Sequence, residues 1–170
     1  MIKLEPFKPI DFDTFISLLD NQEILIAIAG TYFSYPVTHE QLQKYLDDEK
    51  SIAFNVLDND TVIGHAEIID MGKGLYKLDK IIIDQEIRGK GYGQQLIHLL
   101  LEYSFEKLNA AVVELNVYDW NVAGIRCYEK TGFTFNPEKK FSTKTGDIEW
   151  VALNMTIDKN KWTNRQKQMA

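Results

Sequence analysis

A single α/β domain with a mixed central sheet and flanking helices is predicted by three observations. The second half of the chain reads strand, glycine turn, helix, strand, helix, strand, an alternation that calls for a sheet covered by helices. No repeat or low-complexity linker interrupts the 170 residues, enough chain to bury one core without disulfide or metal staples. With 45% of residues hydrophobic and 26% charged, there is apolar surface for that core and polar surface to cover it. Residues 1–160 are read as the domain and 161–170 as a basic C-terminal tail.

The elements follow in chain order. "IDFDTFISLLDN" sets Phe12, Phe15, Ile16 and Leu19 at helical spacing, with Asp11 as the candidate N-cap. After the aromatic loop "GTYFSYPV", Thr38 and Gln41 form the sequence of a capping box and open a second helix. "SIAFNVLD" and "TVIGHAEIID" read as strands joined at Asp58, Asn59 and Asp60; a turn at "MGKG" leads to the strand "LYKLDKIIID". A helix is predicted from Tyr92 to Leu108, burying Leu96, Leu99, Leu100 and Tyr103. "AAVVELNVY" is a short β-branched central strand, Val122 to Thr131 is a helix stopped by Gly132, and "DIEWVALNMTI" is the closing strand.

Composition narrows the function classes. Cys127 is the only cysteine, so an internal disulfide or a cysteine-based zinc site is excluded; no metal is expected, and the thiol reads as packing in a cytoplasmic protein. A net charge of −6 argues against a nucleic-acid partner, and no apolar run approaches a membrane span. The acidity is concentrated early, including Asp47, Asp48 and Glu49.

Three glycines, Gly89, Gly91 and Gly93, stand just where a long helix must begin, although each glycine inside a helix costs about 1 kcal/mol relative to alanine. A helix N-terminus offers unpaired N–H groups and about half a positive charge. Bare backbone there lets a phosphate come close, and Arg88 and Lys90 add positive charge. A Walker A loop needs a lysine after the last glycine, and the dinucleotide fingerprint needs GxGxxG; neither fits. The pattern that fits is RxxGxG, as Arg88, Gly91 and Gly93.

This loop resembles the coenzyme A pyrophosphate loop of the GNAT acetyltransferase superfamily. "NVYDWNVAGIRCYEKTGF" resembles that family's second signature through Asn121, Ala123, Tyr128, Gly132 and Phe133. The likeness covers residues 60 to 157 well; the first 50 resemble, weakly, the branch related to ribosomal-protein N-acetyltransferases. Position 124, often alanine in the family, is Gly124, which is expected to loosen its helix and to allow close cofactor approach. The resemblance implies a GNAT-like fold and an N-acetyltransferase that moves acetyl from acetyl-CoA directly to a primary amine, without a covalent enzyme intermediate.

The resemblance also implies roles. Ile81, Ile82 and Ile83 would pair through their backbone with the pantetheine arm, and one N–H would hold the thioester oxygen as charge develops. Arg88, Gly89, Lys90, Gly91, Tyr92 and Gly93 would cradle the pyrophosphate. Asn121 caps its helix, touches pantetheine, or does both. Tyr128 either packs in the core or, as the resemblance implies, protonates the departing thiolate as general acid. Glu67 and Asp79 are the candidate bases, ion pairing being the plain reading of each; where some members carry a glutamate this chain has Lys77. His65 and His39 are lesser candidates.

The acceptor is expected to be cationic in solution. The acidic first third and the aromatic Tyr32, Phe33 and Tyr35, which the resemblance places over the acceptor side, suit an ammonium. Two classes remain open, a peptide N-terminus and a small amine such as a polyamine or aminoglycoside. A homodimer is an admissible assembly. The rival readings are a non-catalytic acetyl-CoA sensor and a module for another phosphate ligand.

Overall fold

A computed structural model describes residues 1–170, the side chain of Thr145 excluded. It is an α/β domain whose seven-stranded mixed sheet has the order β1-β2-β3-β4-β5-β7-β6. The strands are β1 (Ile2–Pro6), β2 (Ser51–Asp58), β3 (Thr61–Gly72), β4 (Leu75–Ile83), β5 (Val112–Tyr118), β6 (Thr134–Thr145) and β7 (Ile148–Asp158). The helices are α1 (Phe12–Ser17), α2 (Gln22–Ala29), α3 (His39–Leu46), α4 (Tyr92–Glu102), α5 (Val122–Thr131) and α6 (Lys159–Met169). Two compact units compose the chain: Met1–Ile69 with Leu78–Leu96, and Asp70–Lys77 with Ile97–Ala170, so that β3, β4 and α4 each belong to both.

In the first unit β1, β2 and β3 form an antiparallel meander, with Leu4 opposite Val56 and Phe54 opposite Ala66. The helices pack an aromatic core of Phe7, Phe12, Phe15, Phe33 and Tyr45 with Leu25, Leu42 and Ile82. Each fully buried phenylalanine contributes about 1.5–3 kcal/mol of transfer free energy. Asp11 precedes α1 but does not cap it; its carboxylate accepts instead from the Lys8 N–H at 2.8 Å. Asn21 caps α2, a helix that the sequence reading passed over. Thr38 accepts from the Gln41 N–H at 3.3 Å, which is half of the expected capping box. The Gln41 amide turns the other way, accepting from the Ser34 N–H at 2.8 Å and donating to the Ser34 carbonyl at 3.1 Å, and so ties the aromatic loop to α3.

In the second unit β7 lies between β5 and β6, antiparallel to both. The helix from Tyr92 loosens after Glu102 into a π-helical turn, Tyr103–Lys107. Gly132 ends α5 at φ +109°, the left-handed C′ conformation that its position predicted. Asp158 caps α6 by accepting from the Lys161 N–H at 2.8 Å. Trp162 of α6 is only 3% exposed, stacks on Phe105 and donates to Glu106 at 3.1 Å, so the basic segment 161–170 is anchored as helix. Among the described residues no helix is long and apolar enough to cross a membrane.

Candidate active site

The centre of the first unit is a buried lysine. Leu78, Lys80 and Ile82 alternate along β4 and point to the buried side, so strand geometry sends Lys80 inward with its apolar neighbours. Its Nζ donates to Glu67 Oε2 at 2.7 Å and to Asp79 Oδ2 at 3.2 Å, and it lies 4.0 Å from the Tyr32 ring centre and 5.1 Å from that of Tyr45. Burial alone would favour the neutral amine, but the charges of Asp79 and Glu67 and their hydrogen bonds outweigh it and raise the Lys80 pKa. Burial raises the Glu67 pKa, and the Lys80 ammonium offsets part of that. Lys80 also adopts φ +46°, a left-handed backbone that costs an L-residue about 1–2 kcal/mol. This left-handed residue lies within β4, one position before Ile81.

Beside the ion pair His65 is fully buried, its ring 4.5 Å from that of Phe15 and 4.7 Å from that of Phe7. Burial, with a smaller push from Lys80, lowers its pKa to about 3, so the imidazole is neutral. Nε2 shares a hydrogen bond with the Tyr45 hydroxyl at 2.9 Å, while Nδ1 has no partner among the described residues.

Past Ile83 the strand turns. Asp84 donates its N–H to the Ile63 carbonyl at 2.8 Å, and its carboxylate accepts from the Glu86 N–H at 3.0 Å. Arg88 folds back so that Nε donates to the Ile83 carbonyl at 3.1 Å. Gly89 and Gly91 then take φ +80° and +83°, and a Cβ built on either would meet no other atom within 4 Å. The glycines are required by backbone conformation, and they leave open space before the first turn of α4, which carries Gly93. Lys90 is exposed. The Tyr92 hydroxyl donates to Asp58 at 2.6 Å, which lowers the Asp58 pKa and fixes the start of the helix to the end of β2. An open, left-handed glycine pair beside a helix N-terminus fits a pyrophosphate.

The second unit holds the remaining candidates. Asn121 caps α5, its side-chain oxygen accepting from the Gly124 N–H at 3.0 Å. A Cβ at position 124 would lie 2.6 Å from the Asn121 amide nitrogen, so Gly124 makes room for the cap. Tyr128 is half-buried, with its ring 6.1 Å from that of Phe133. Cys127 is half-buried, and burial raises its thiol pKa, as suits a packing residue.

The first unit therefore brings together Glu67, Asp79, the Ile81–Ile83 strand and the loop from Arg88 to Gly93; Asn121 and Tyr128 share one helix of the second. Sequence reasoning missed Lys80, Tyr45 and Gly64. The available signals were the alternation Leu78, Lys80, Ile82, and a glycine inside a strand, which marks close backbone approach.

Fold and loop together define an acyl-coenzyme A-dependent transferase class, and the acetyltransferase (GNAT) family profile matches residues 22–133: the chain belongs to this family. It is 31% identical to the spermidine N(1)-acetyltransferase of Vibrio cholerae over 123 residues, 70% of this chain and 71% of that protein. It is also 32% identical over 73 residues to the spermine/spermidine N(1)-acetyltransferase of Bacillus subtilis, of which the match spans about half, 48%. Among solved structures it is similar to spermidine N-acetyltransferase from V. cholerae in complex with CoA and spermine, with a TM-score of 0.83, 24% identity, and coverage of 96% of this chain and 98% of that one. The V. cholerae enzyme has also been solved as a dodecamer.

Proposed function

We propose that this chain transfers the acetyl group of acetyl-CoA to the primary amine of a small cationic acceptor, of polyamine type, in the cytoplasm. The observation that carries the reading is the open glycine pair Gly89 and Gly91 between β4 and α4. Arg88 to Gly93 would hold the pyrophosphate, the backbone of Ile81 to Ile83 the pantetheine arm, and Asn121 would add a contact through the amide nitrogen that its cap does not use. Acetyl-CoA, when bound, supplies the acetyl thioester.

The chain's own residues then move protons. The acceptor arrives as an ammonium and must lose a proton before its nitrogen can form the new C–N bond. Of the two carboxylates, Asp79 has a side chain 26% exposed and so a route to solvent, whereas Glu67 is sealed against Lys80. Asp79 is therefore proposed as the base, directly or through water. As the C–S bond breaks, the Tyr128 phenol gives its proton to the sulfur.

Recognition of a cation rests on the carboxylates around Tyr32, Asp48 among them. The Tyr32 pKa is raised by burial; the Lys80 charge opposes this, and Glu67, Asp48 and Asp79 add to it, so Asp48 of the early acidic run is felt at this ring. Screening should then raise the KM for spermidine several-fold between about 0.01 and 0.15 M salt, while a singly charged peptide N-terminus changes less. Absence of acetylation of any amine, with acetyl-CoA binding intact, would favour the non-catalytic sensor instead. By analogy with the dodecameric relative a homo-oligomer is proposed, a dimer being its smallest form; a monomer by sedimentation would reject it.

A further inference from the structure

Lys80 transfers no proton in the steps above, although it donates to the proposed base Asp79; its side chain is 1% exposed and its ammonium surrounded, with Glu67 and Asp79 at hydrogen-bond distance and the ring faces of Tyr32 and Tyr45 beyond. Carboxylates combined with aromatic faces are the means by which proteins bind free alkylammonium ligands. Here the ligand is supplied by the chain itself.

We propose that Lys80 is a tethered occupant of an ammonium cage and sets acceptor specificity by keeping an acceptor's second cation out of it. This rests on the proposed amine acetylation. Tyr32 is 53% exposed and Asp79 partly so, which makes them the solvent-facing wall of the cage. Lys80 immediately precedes Ile81, on the strand assigned to the acetyl donor, so the cage adjoins the reacting end. A diamine that offers one nitrogen to the donor finds the nearest aromatic and carboxylate partners for its other nitrogen already taken. Only charges farther out, such as Asp48, can then add to binding. Removal of the Lys80 ammonium turns the cage into a second cation subsite.

The test compares kcat and KM for n-butylamine, 1,4-diaminobutane and spermidine at saturating acetyl-CoA, and the KM of acetyl-CoA at saturating n-butylamine. In Lys80→Met the KM of the diamine and of spermidine should fall by about tenfold, while those of butylamine and acetyl-CoA stay within about threefold. Equal shifts for all three amines, or a rise confined to the polyamines, overturn the inference. Because Lys80→Met strands Glu67 and can prevent folding, Lys80→Met/Glu67→Gln is the second variant; it buries no unpaired glutamate charge. It leaves Asp79 and both tyrosine faces, and its ratio of butylamine KM to diamine KM should still rise by about threefold over the wild type. An unchanged ratio overturns the role of Lys80 and leaves the acetyltransferase reading standing; a wild-type protein that acetylates none of the amines rejects both.

Discussion

Gly64 on β3 faces the Ile82 carbonyl on β4 so closely that a Cβ at position 64 would lie 2.3 Å from that oxygen. The contact is backbone against side chain, and no rotamer can relieve it. Gly64→Ala must therefore push the strand outward just where Ile81 to Ile83 are proposed to meet the cofactor. The expected result is a loss of about 1–3 kcal/mol in urea unfolding, together with weakened coenzyme A binding by calorimetry. Wild-type values on both measurements would show that the strands can part freely.

Gly91 requires a left-handed backbone and borders open space. Gly91→Val adds strain and fills the cradle. Acetyl-CoA at 100 times its dissociation constant should stabilise the wild type by about 2.7 kcal/mol, ATP and NAD by nothing measurable, and the variant by far less. An undiminished thermal shift in Gly91→Val would remove the loop from the cofactor site.

Tyr128→Phe keeps the ring that faces Phe133 and deletes one proton. As general acid, Tyr128 accounts for roughly 10² or more in turnover, so kcat should fall by that factor while the dissociation constant of acetyl-CoA hardly moves. Full turnover in the variant would make the tyrosine a packing residue.

His65 makes stability depend on pH. Its folded pKa of about 3 lies below the usual 6.5, so the unfolded chain takes up a proton that the native state refuses. Its contribution is complete above pH 6.5 and is lost as pH falls toward 3, by up to about 1.4 kcal/mol per unit. Between pH 6.5 and 5 the urea midpoint should drop in the wild type and drop less in His65→Phe. Parallel slopes would mean that His65 is charged in the folded protein.

What the sequence disclosed and what it withheld have physical reasons. Helix α5 was legible because its signals are local: Asn121 before it and Gly132 after it act within one turn. Gly124 was legible as a departure, but its purpose was not, since the room it makes is for the Asn121 side chain. Strand β1 escaped because "IKLEP" is short and carries Pro6, and β6 because Pro137 sits within "TFNPEKKFSTKT"; both are outermost strands, where a missing N–H is tolerated, and β6 shifts register between Asn136 and Lys140. Helix α2 escaped because "EILIAIA" is apolar on every face, and such a run reads equally as strand. Lys80 was illegible for another reason. A lysine is solvated by default, and only the partners that distant segments bring to it, Tyr32, Tyr45 and Glu67, reverse that default.

The pairing of Lys80 with Glu67 also constrains how this sequence can diverge. Loss of Lys80 alone leaves Glu67 buried without its cation, at a cost of about 3–5 kcal/mol out of a total stability of roughly 5–15, and loss of Glu67 alone leaves the buried Lys80 with Asp79 only. A lineage can exchange the pair for apolar residues only by passing through such an intermediate, or by changing both codons at once, so the two positions are expected to be inherited together. Tyr32, half in solvent and carrying no buried charge, faces no such valley. Drift in what this site accepts should therefore be recorded first at Tyr32, long before Lys80 or Glu67 can move.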